Sequence, residues 1–230
     1  MKDIRIIAFD ADDTLWINEP YFRDAERKFC TLFSDVISSE EVSEELLKTE
    51  KRNMPLYGYG IKAFTLSMIE TAVRIAPGTL DPAVIGEIIG FSKELIHKPV
   101  LLLKGVEEVL RSLSHRYKLI VATKGDLLDQ ERKLEKSGLS SYFSHIEIMS
   151  DKKTKDYKKL LEYLDCPPSH FLMIGNSIKS DILPVLEIGG FAAHVPFSVT
   201  WAYEHVEENV EHPHLICLQT IGDIFNFLIQ

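Results

Sequence analysis

The first buried strand of this chain is separated from all later strand candidates by about eighty residues with helical patterns. Ile4 to Phe9 is a nearly continuous run of apolar and β-branched residues, which is typical of a strand covered by helices on both faces. Residues 17–98 then show long amphipathic patterns with helical spacing and contain no convincing strand. This order predicts a sheet domain whose first strand is followed by an inserted helical domain.

From about residue 99 onward, strand and helix patterns alternate. The strand candidates are 117–122, 145–149, 171–174, 191–195 and 215–218, and the helix candidates are 106–113, 127–136, 157–164, 182–188 and 221–228. Such alternation is typical of βαβ units, whose right-handed crossovers produce a parallel sheet. We therefore predict an α/β fold with a doubly wound parallel sheet, built from residues 1–16 and 99–230, and an all-helical domain at 17–98.

The inserted segment predicts four helices, at 21–33, 39–52, 61–76 and 82–97. Between two of them, the stretch from Arg52 to Gly60 is polar, aromatic and rich in glycine. We interpret it as an ordinary interhelical connection. The alternative is a specificity loop that reaches towards a ligand, and in that case Asn53 and Tyr57 are the candidate substrate-binding residues.

Composition excludes several classes of function. The 230 residues include 26 Lys and Arg against 35 Asp and Glu, a formal net charge of −9 without any basic stripe, which argues against nucleic acid or an anionic membrane surface as partner. The chain shows neither a signal-peptide core nor a run near the ~18 apolar residues of a membrane span. Its three distant cysteines favour a reducing compartment. We expect a cytoplasmic protein.

The strongest chemical signal is the acidic sequence DADDT at residues 10–14, directly after the first strand. Open parallel sheets bind ligands outside the carboxyl ends of their strands. Asp10 and Asp12 are two positions apart, so in an extended segment their side chains project to the same side. Paired carboxylates at such a place favour a hard divalent cation. A cluster of turn or helix-capping residues is the alternative.

Two further signals follow later strands. Thr123, with Lys124 beside it, follows the strand at 117–122, where a hydroxyl can bind an anionic oxygen. Lys152, Lys153 and Lys155 follow the strand at 145–149, and a lysine there can supply positive charge to a phosphoryl group. Taken singly, Thr123 is better explained as a helix cap and the lysines as a solvated face.

The last signal is the sequence GNSIKSD at residues 175–181, directly after the strand at 171–174. Asn176 and Asp181 offer an amide oxygen and a carboxylate that can complete an oxygen shell around Mg²⁺. A plain strand–turn–helix connection is the alternative for this segment alone. Each of the four polar segments follows a different predicted strand, so one crevice at the strand ends would bring them together. This order favours a shared site over four unrelated helix caps or turns.

This set of motifs resembles the haloacid dehalogenase-like (HAD) hydrolase superfamily. DADDT matches the first motif of that family, DxDx[TV]; Thr123 in VATKG matches the second, the lysine near 152 the third, and GNSIKSD the fourth. The helical insert lies where the C1 caps of the family lie, and Gly175 to Phe197 is similar to its phosphatase branch. The resemblance implies a Rossmann-like core with a helical C1 cap.

The resemblance also implies a Mg²⁺-dependent phosphatase that hydrolyses a small phosphorylated metabolite through an aspartyl-phosphate, as a monomer or homodimer. Asp10 is the implied nucleophile, and Asp12 the implied general acid and base. The implied substrate-binding residues are Thr123, Lys124 and Lys152, and the implied Mg²⁺ ligands are Asp10, the main-chain carbonyl of Asp12, Asn176 and Asp181.

The sequence departs from the family at one position, where Asn176 replaces the usual Asp. With an amide there, Asp181 is expected to contribute more to metal binding. Lys152 is our choice for the third-motif lysine, with Lys153 as the rival. The haloacid dehalogenases of the family lack an aspartate at the position of Asp12, which favours phosphate esters over carbon–halogen bonds here. The alternatives to a phosphatase are a phosphomutase, a phospho-acceptor signalling module and a non-catalytic binding protein.

Overall fold

A computed structural model describes residues 3–206 and 210–228 of the chain. The strands are β1 (Ile6–Phe9), β2 (Lys118–Lys124), β3 (His145–Met149), β4 (Phe171–Gly175), β5 (Phe191–His194) and β6 (Leu215–Cys217). All neighbours pair in parallel, in the order β3-β2-β1-β4-β5-β6. The predicted α/β fold with a doubly wound parallel sheet is thereby confirmed.

Helices follow most of the strands and also fill the insertion. They are α1 (Glu19–Thr31), α2 (Ser39–Tyr57), α3 (Ile61–Ile75), α4 (Pro82–His97), α5 (Val106–Leu113), α6 (Leu127–Ser137), α7 (Thr154–Tyr163), α8 (Leu183–Glu187) and α9 (Phe225–Leu228). A π-helical turn at Ile178–Ile182 precedes α8, and a 3₁₀ turn at Ile221–Ile224 precedes α9. No helix in the described part of the chain is long and apolar enough to cross a membrane.

The sheet has a hydrophobic core on each face, which explains why its strands read as continuous apolar runs. Alternate residues of β1 belong to different cores: Ile7 and Phe9 pack in one, and Ile6 and Ala8 in the other. The neighbouring strands β2 and β4 divide their side chains in the same way. A strand buried on both faces has no polar positions until it ends, so the first polar residues mark the edge of the sheet.

The chain forms two compact units. The sheet unit comprises Met1–Ile17, Val100–Lys124 and Gln130–Gln230, and the helical unit comprises Asn18–Pro99 together with Gly125–Asp129. The insertion predicted from sequence, residues 17–98, differs by one residue at each end from the main segment of the helical unit, Asn18–Pro99. The prediction did not include Gly125–Asp129, the short segment after β2 that belongs to the helical unit.

The helical unit has its own core, formed by the apolar faces of α1 to α4 around Phe29, Leu46 and Met68. Helix α2 begins with a capping box between Ser38 and Glu41, which satisfies free backbone N–H groups at the helix start.

The prediction that α2 ends at Arg52 was wrong, because the helix continues to Tyr57. Pro55 lies in its last turn, where the missing proline N–H costs only one backbone hydrogen bond. The connection between α2 and α3 is therefore limited to Gly58–Gly60, and a role of the stretch from Arg52 to Gly60 in specificity stays a prediction.

Candidate active site

The sheet places the carboxyl ends of β1, β2 and β4 side by side. Phe9, the last residue of β1, pairs in register with Val121 of β2 and Ile174 of β4. From β1, the chain adds β2 and then β3 on one side. It then crosses to the other side of β1, where it adds β4, β5 and β6. Such a switch point leaves a crevice at the strand ends, where ligands of open α/β sheets bind.

Three charged side chains meet in this crevice, each from a different loop. The ammonium of Lys152 donates to Asp10 Oδ1 at 2.5 Å and to Asp181 Oδ1 at 2.7 Å. All three side chains are buried. The structure thus brings together the first, third and fourth motifs around one cation.

Of the two rival lysines, only Lys152 enters this cluster. The side chain of Lys153 is 67% exposed and pairs with Asp151 at 2.8 Å. The backbone N–H of Lys153 donates to the carboxylate of Asp156 at 3.1 Å, at the start of α7. The geometry therefore favours Lys152 over Lys153 as the third-motif lysine.

Gly175 makes room for the carboxylate of Asp181. A Cβ atom at Gly175 would lie 2.2 Å from Asp181 Oδ2, so a larger residue cannot occupy this position without moving the aspartate. The same oxygen accepts a hydrogen bond from the backbone N–H of Ser177 at 2.9 Å. The π-helical turn that carries Asp181 is a feature often found at functional sites.

The hydroxyl of Thr14 links the first and fourth motifs. Its Oγ1 lies 3.1 Å from Asp10 Oδ2 and 3.2 Å from Asn176 Oδ1, and either oxygen can accept its proton. These two oxygens are therefore close to the same point of the crevice. Asp13, which precedes Thr14, adopts a left-handed φ of 62°, so the chain turns sharply three residues after Asp10.

Two buried carboxylates share a single ammonium here, and this affects the protonation of Asp10. Burial raises the pKa of Asp10 to about 7, with Lys152 lowering it and Asp181 raising it. The pKa of Lys152 is raised, because the attraction of Asp10 and Asp181 outweighs burial. Lys152 is consequently protonated at neutral pH, and the cluster carries one more negative than positive charge when both carboxylates are ionised.

The donor set fits a hard divalent cation. Asp10, Asp181 and the amide oxygen of Asn176 are oxygen ligands, and a bound dication would compensate the excess negative charge. Among residues 3–206 and 210–228, no three His, Cys, Asp or Glu side chains form a metal-binding group by themselves. A cation at this site would therefore also need the amide, main-chain carbonyls or water as ligands.

The carboxylate of Asp12 has different partners from that of Asp10. Lys133 donates to both of its oxygens, at 2.7 and 2.8 Å, Trp16 Nε1 donates to Oδ1 at 2.7 Å, and Gln130 Nε2 lies 3.1 Å from Oδ2. Asp12 still lies near enough to raise the pKa of Asp10. Their spacing in sequence predicts that the carboxylates of Asp10 and Asp12 share one side of the chain, but it gives no sign of these partners.

Gln130 and Lys133 are candidate site residues that the sequence analysis missed. They lie three positions apart on α6, and residues at that spacing share one helix face. Gln130 Nε2 also lies 2.8 Å from Thr123 Oγ1, so it connects the second motif to Asp12. The only sign of them in the sequence is that they form a polar pair on one face of the helix that follows Thr123. Such pairs are common on any solvated helix, so this sign does not distinguish site residues from surface residues.

Strand β2 is longer than predicted and includes both Thr123 and Lys124. Thr123 is buried and pairs in register with Ile148 of β3, so it remains at the carboxyl edge of the sheet. The ammonium of Lys124 forms an ion pair with Glu204 and donates to Ser180 at 2.8 Å. Glu204 is a further residue that the sequence analysis missed, because its segment has no regular pattern.

The two proposed substrate-binding residues of the insertion lie in the helical unit. Asn53 is buried, and its side-chain amide donates to Ser67 at 3.2 Å and Glu70 at 2.9 Å, so it ties α2 to α3. Tyr57, at the end of α2, is 52% exposed. A role in substrate binding stays a prediction for both residues, and the contacts of Asn53 are those of a structural residue.

Comparisons with known proteins show which family this chain is similar to. The family model of the haloacid dehalogenase-like hydrolases matches residues 4–189. No curated protein sequence matches the chain. Among solved structures, a haloacid dehalogenase-like family hydrolase from Xanthomonas campestris is 36% identical with a TM-score of 0.87, and the alignment covers 96% of this chain and 88% of that one.

More distant structures share the fold. The HAD-hydrolase YfnB from Bacillus subtilis, bound to magnesium, is 16% identical with a TM-score of 0.66, and 99% of each chain is covered. A predicted phosphoglycolate phosphatase from Haemophilus somnus is 18% identical with the same TM-score of 0.66, and 100% of each chain is covered. Other structures with this fold are 2-haloacid dehalogenases. The chain described here belongs to the haloacid dehalogenase-like hydrolase family.

Proposed function

We propose that this hydrolase is a Mg²⁺-dependent phosphatase that acts on small phosphorylated metabolites through an aspartyl-phosphate on Asp10. The observation that supports this most directly is the buried cluster of Asp10, Lys152 and Asp181 at the strand ends. A carboxylate held beside a cation, with Thr123 at the end of the neighbouring strand, is suited to attack a phosphorus atom whose oxygens need positive charge and hydrogen-bond donors.

In the first step, a carboxylate oxygen of Asp10 attacks phosphorus, and the bond from phosphorus to the leaving oxygen breaks. Lys152 and the hydroxyl of Thr123 bind the phosphoryl oxygens, where negative charge accumulates. Asp12, in its protonated form, gives its proton to the leaving oxygen, so the alcohol departs neutral.

In the second step, a water molecule attacks the same phosphorus atom and releases Asp10. Asp12, now ionised, takes a proton from this water, which restores both aspartates and produces inorganic phosphate. Trp16, Gln130 and Lys133 hold the Asp12 carboxylate in one orientation beside the nucleophile loop.

Mg²⁺ would be held by Asp10, the main-chain carbonyl of Asp12, Asn176 and Asp181. Bound there, the cation offsets the repulsion between an anionic nucleophile and an anionic ester. The magnesium in the distant Bacillus subtilis structure is consistent with this assignment.

Two other reactions of the same family remain as alternatives. A dehalogenase would need no proton donor for a halide, whereas this chain keeps an aspartate at position 12 within an organised set of donors. A phosphomutase would return the phosphoryl group to a sugar phosphate. Analysis of the products therefore separates it from a phosphatase, which transfers the group to water.

The test is the hydrolysis of p-nitrophenyl phosphate, with Asp10→Asn as the decisive variant. We expect the wild-type protein to release phosphate with Mg²⁺, to lose activity in EDTA and to regain it when Mg²⁺ is restored. Asp10→Asn should reduce kcat by at least about 10³-fold and keep a native circular-dichroism spectrum. Retained turnover in this variant would contradict the assignment of the nucleophile, and chloride release from 2-chloropropionate would favour a dehalogenase.

A further inference from the structure

The side chain of Gln130 contacts groups of both the first and the second motif. Its amino nitrogen, Nε2, lies 2.8 Å from Thr123 Oγ1, 3.0 Å from the main-chain carbonyl oxygen of Lys124 and 3.1 Å from Asp12 Oδ2. Gln130 is only 3% exposed, so these contacts are shielded from water. One buried amide thus contacts the hydroxyl that would bind a phosphoryl oxygen and the carboxylate that would act as general acid and base.

The partners of the Gln130 amide determine which way it points. The carbonyl of Lys124 only accepts hydrogen bonds, and so does the carboxylate of Asp12, whose two oxygens also accept from Lys133. The opposite orientation would place the amide oxygen of Gln130 against these two acceptors. The amino group therefore faces them, and Thr123 Oγ1, which faces the same amino group, is the acceptor in its contact with Gln130.

This contact leaves the hydroxyl proton of Thr123 available to a ligand. Among the described residues, the acceptor for that proton is the carbonyl of Lys124 at 3.4 Å, which is long for a hydrogen bond between two oxygens. The same carbonyl already accepts from Gln130. An anionic phosphoryl oxygen is a stronger acceptor than a carbonyl, so a bound substrate would take the proton of this hydroxyl as its hydrogen bond.

Strand pairing places this hydroxyl beside the nucleophile loop. Val121 of β2 pairs in register with Phe9 of β1, and neighbouring strands lie about 4.8 Å apart. Asp10 is one residue beyond this pair and Thr123 is two residues beyond it, at the same edge of the sheet. Asp12, the other side-chain partner of Gln130, is close enough to raise the pKa of Asp10.

The other end of the Gln130 amide has no comparable contacts. Its Oε1 is buried and has no hydrogen-bond partner in the part of the chain that the structure describes. Buried polar atoms are normally paired, because an unpaired acceptor loses its hydration without compensation. An apolar side chain of the same length would avoid this unpaired oxygen. The one-sided bonding therefore favours a role of the amino group in the site over a role in stability alone.

We propose that Gln130 is a positioning residue for phosphoryl transfer: its amino group occupies the acceptor side of the Thr123 hydroxyl, so that the hydroxyl presents its proton to the substrate. This proposal rests on the proposed phosphatase function and adds to it a residue that acts through Thr123. The alternatives are that Gln130 acts through Asp12 alone, or that it only ties the end of β2 to α6.

The choice of substrate separates an effect on Thr123 from an effect on Asp12. The measured quantity is kcat/KM for p-nitrophenyl phosphate in the Mg²⁺-loaded full-length protein, which reports the transition state relative to free enzyme and substrate. p-Nitrophenolate departs without a proton, so attack by Asp10 on this substrate does not depend on Asp12 as general acid. It does depend on the donors that bind the phosphoryl oxygens.

Gln130→Met keeps the length of the side chain and removes the amino group. We expect it to lower kcat/KM for p-nitrophenyl phosphate about tenfold, and Thr123→Val, which removes the hydroxyl itself, to lower it about 100-fold. The double variant should lie within about threefold of Thr123→Val alone, because Gln130 then has no hydroxyl to orient and the two losses do not multiply.

Glu135→Met is the matched control, because it introduces the same residue at an exposed position of α6. It should leave kcat/KM unchanged. Circular dichroism establishes that each variant is folded. Gln130→Asn, which withdraws the amide by one methylene and should lose the contact with Thr123, replaces Gln130→Met in the same comparison if that variant does not fold.

Losses that multiply in the double variant would mean that Gln130 acts independently of Thr123, and they would overturn the proposal. Gln130→Met activity that is unchanged on p-nitrophenyl phosphate but lower on alkyl phosphates would assign Gln130 to Asp12 and overturn it too. So would full activity of Thr123→Val. Failure of the wild-type protein to hydrolyse p-nitrophenyl phosphate would instead contradict the proposed function itself.

Discussion

At the scale of single residues, the site is defined by an imbalance of charge. Asp10 and Asp181 are buried and share the ammonium of Lys152, so the cluster carries one more negative than positive charge when both carboxylates are ionised. Burying an uncompensated charge is costly, and proteins reduce this cost by protonation or by binding a cation. The raised pKa of Asp10 is the first of these responses, and a bound Mg²⁺ would be the second.

Lys133 allows a test of how Asp12 is positioned. We expect Lys133→Met to lower kcat/KM for alkyl phosphates by about 10- to 100-fold, because the carboxylate loses the cation that orients both of its oxygens. The loss on p-nitrophenyl phosphate should be much smaller, since p-nitrophenolate departs without a proton.

The control is Lys136→Met, which removes a charge from an exposed position on the same helix. Lys133→Arg should recover part of the activity on alkyl phosphates. Equal losses on alkyl and aryl substrates would mean that Lys133 acts on something other than proton transfer to the leaving group.

At the scale of secondary-structure elements, helix α2 has a role that its sequence does not reveal. Its last turns read as a polar connection, but they form a helix whose buried face carries Asn53. The amide of Asn53 bonds to Ser67 and Glu70 of α3, so a polar contact fixes the two helices relative to each other. Buried polar side chains that are fully bonded specify one packing arrangement more strictly than apolar ones do.

Asn53→Ala should therefore destabilise the protein by about 1–3 kcal/mol, because Ser67 and Glu70 lose a buried partner. Tyr57→Ala, at an exposed position of the same helix, should change stability by less than about 0.5 kcal/mol. Urea unfolding monitored by circular dichroism measures both values. The KM values of the two variants test the substrate-binding predictions separately, and equal stabilities would contradict the structural role of Asn53.

At the scale of the whole molecule, metal binding and folding are linked. The candidate ligands come from loops after β1 and β4, which are 166 positions apart at Asp10 and Asn176 and meet only in the folded sheet. A cation that binds these groups stabilises the folded state alone, by about 2.7 kcal/mol at a hundredfold excess over its Kd.

We expect Mg²⁺ to raise the Tm of the wild-type protein, and expect this shift to be lost in Asp10→Asn and Asp181→Asn. Without Mg²⁺, Asp10→Asn should have a higher Tm than the wild-type protein, because it removes one of two carboxylates that share a single ammonium. Differential scanning calorimetry at constant ionic strength measures both effects. Asp35→Asn, an exposed change in the helical unit, serves as the control. A full Mg²⁺ shift in Asp181→Asn would remove Asp181 from the ligand set.

The fold was largely predictable from the sequence because its signals are local. A strand buried on both faces is apolar along its whole length, and its end is visible where polar residues such as Asp10 and Thr123 begin. Helix limits were less predictable, as α2 shows, because Pro55 and nearby polar residues are compatible with both a turn and a final helical turn.

For the site, the sequence by itself determined which residue types stand at the strand ends: the carboxylates of Asp10 and Asp181, the hydroxyl of Thr123 and a lysine near 152. The tertiary structure alone decided which partners meet. Lys133 binds Asp12 across 121 positions, and Glu204 binds Lys124 across 80. Such contacts leave no local pattern, because they depend on how helices and connections pack against the completed sheet. A side chain acquires its electrostatic environment only when that packing is in place.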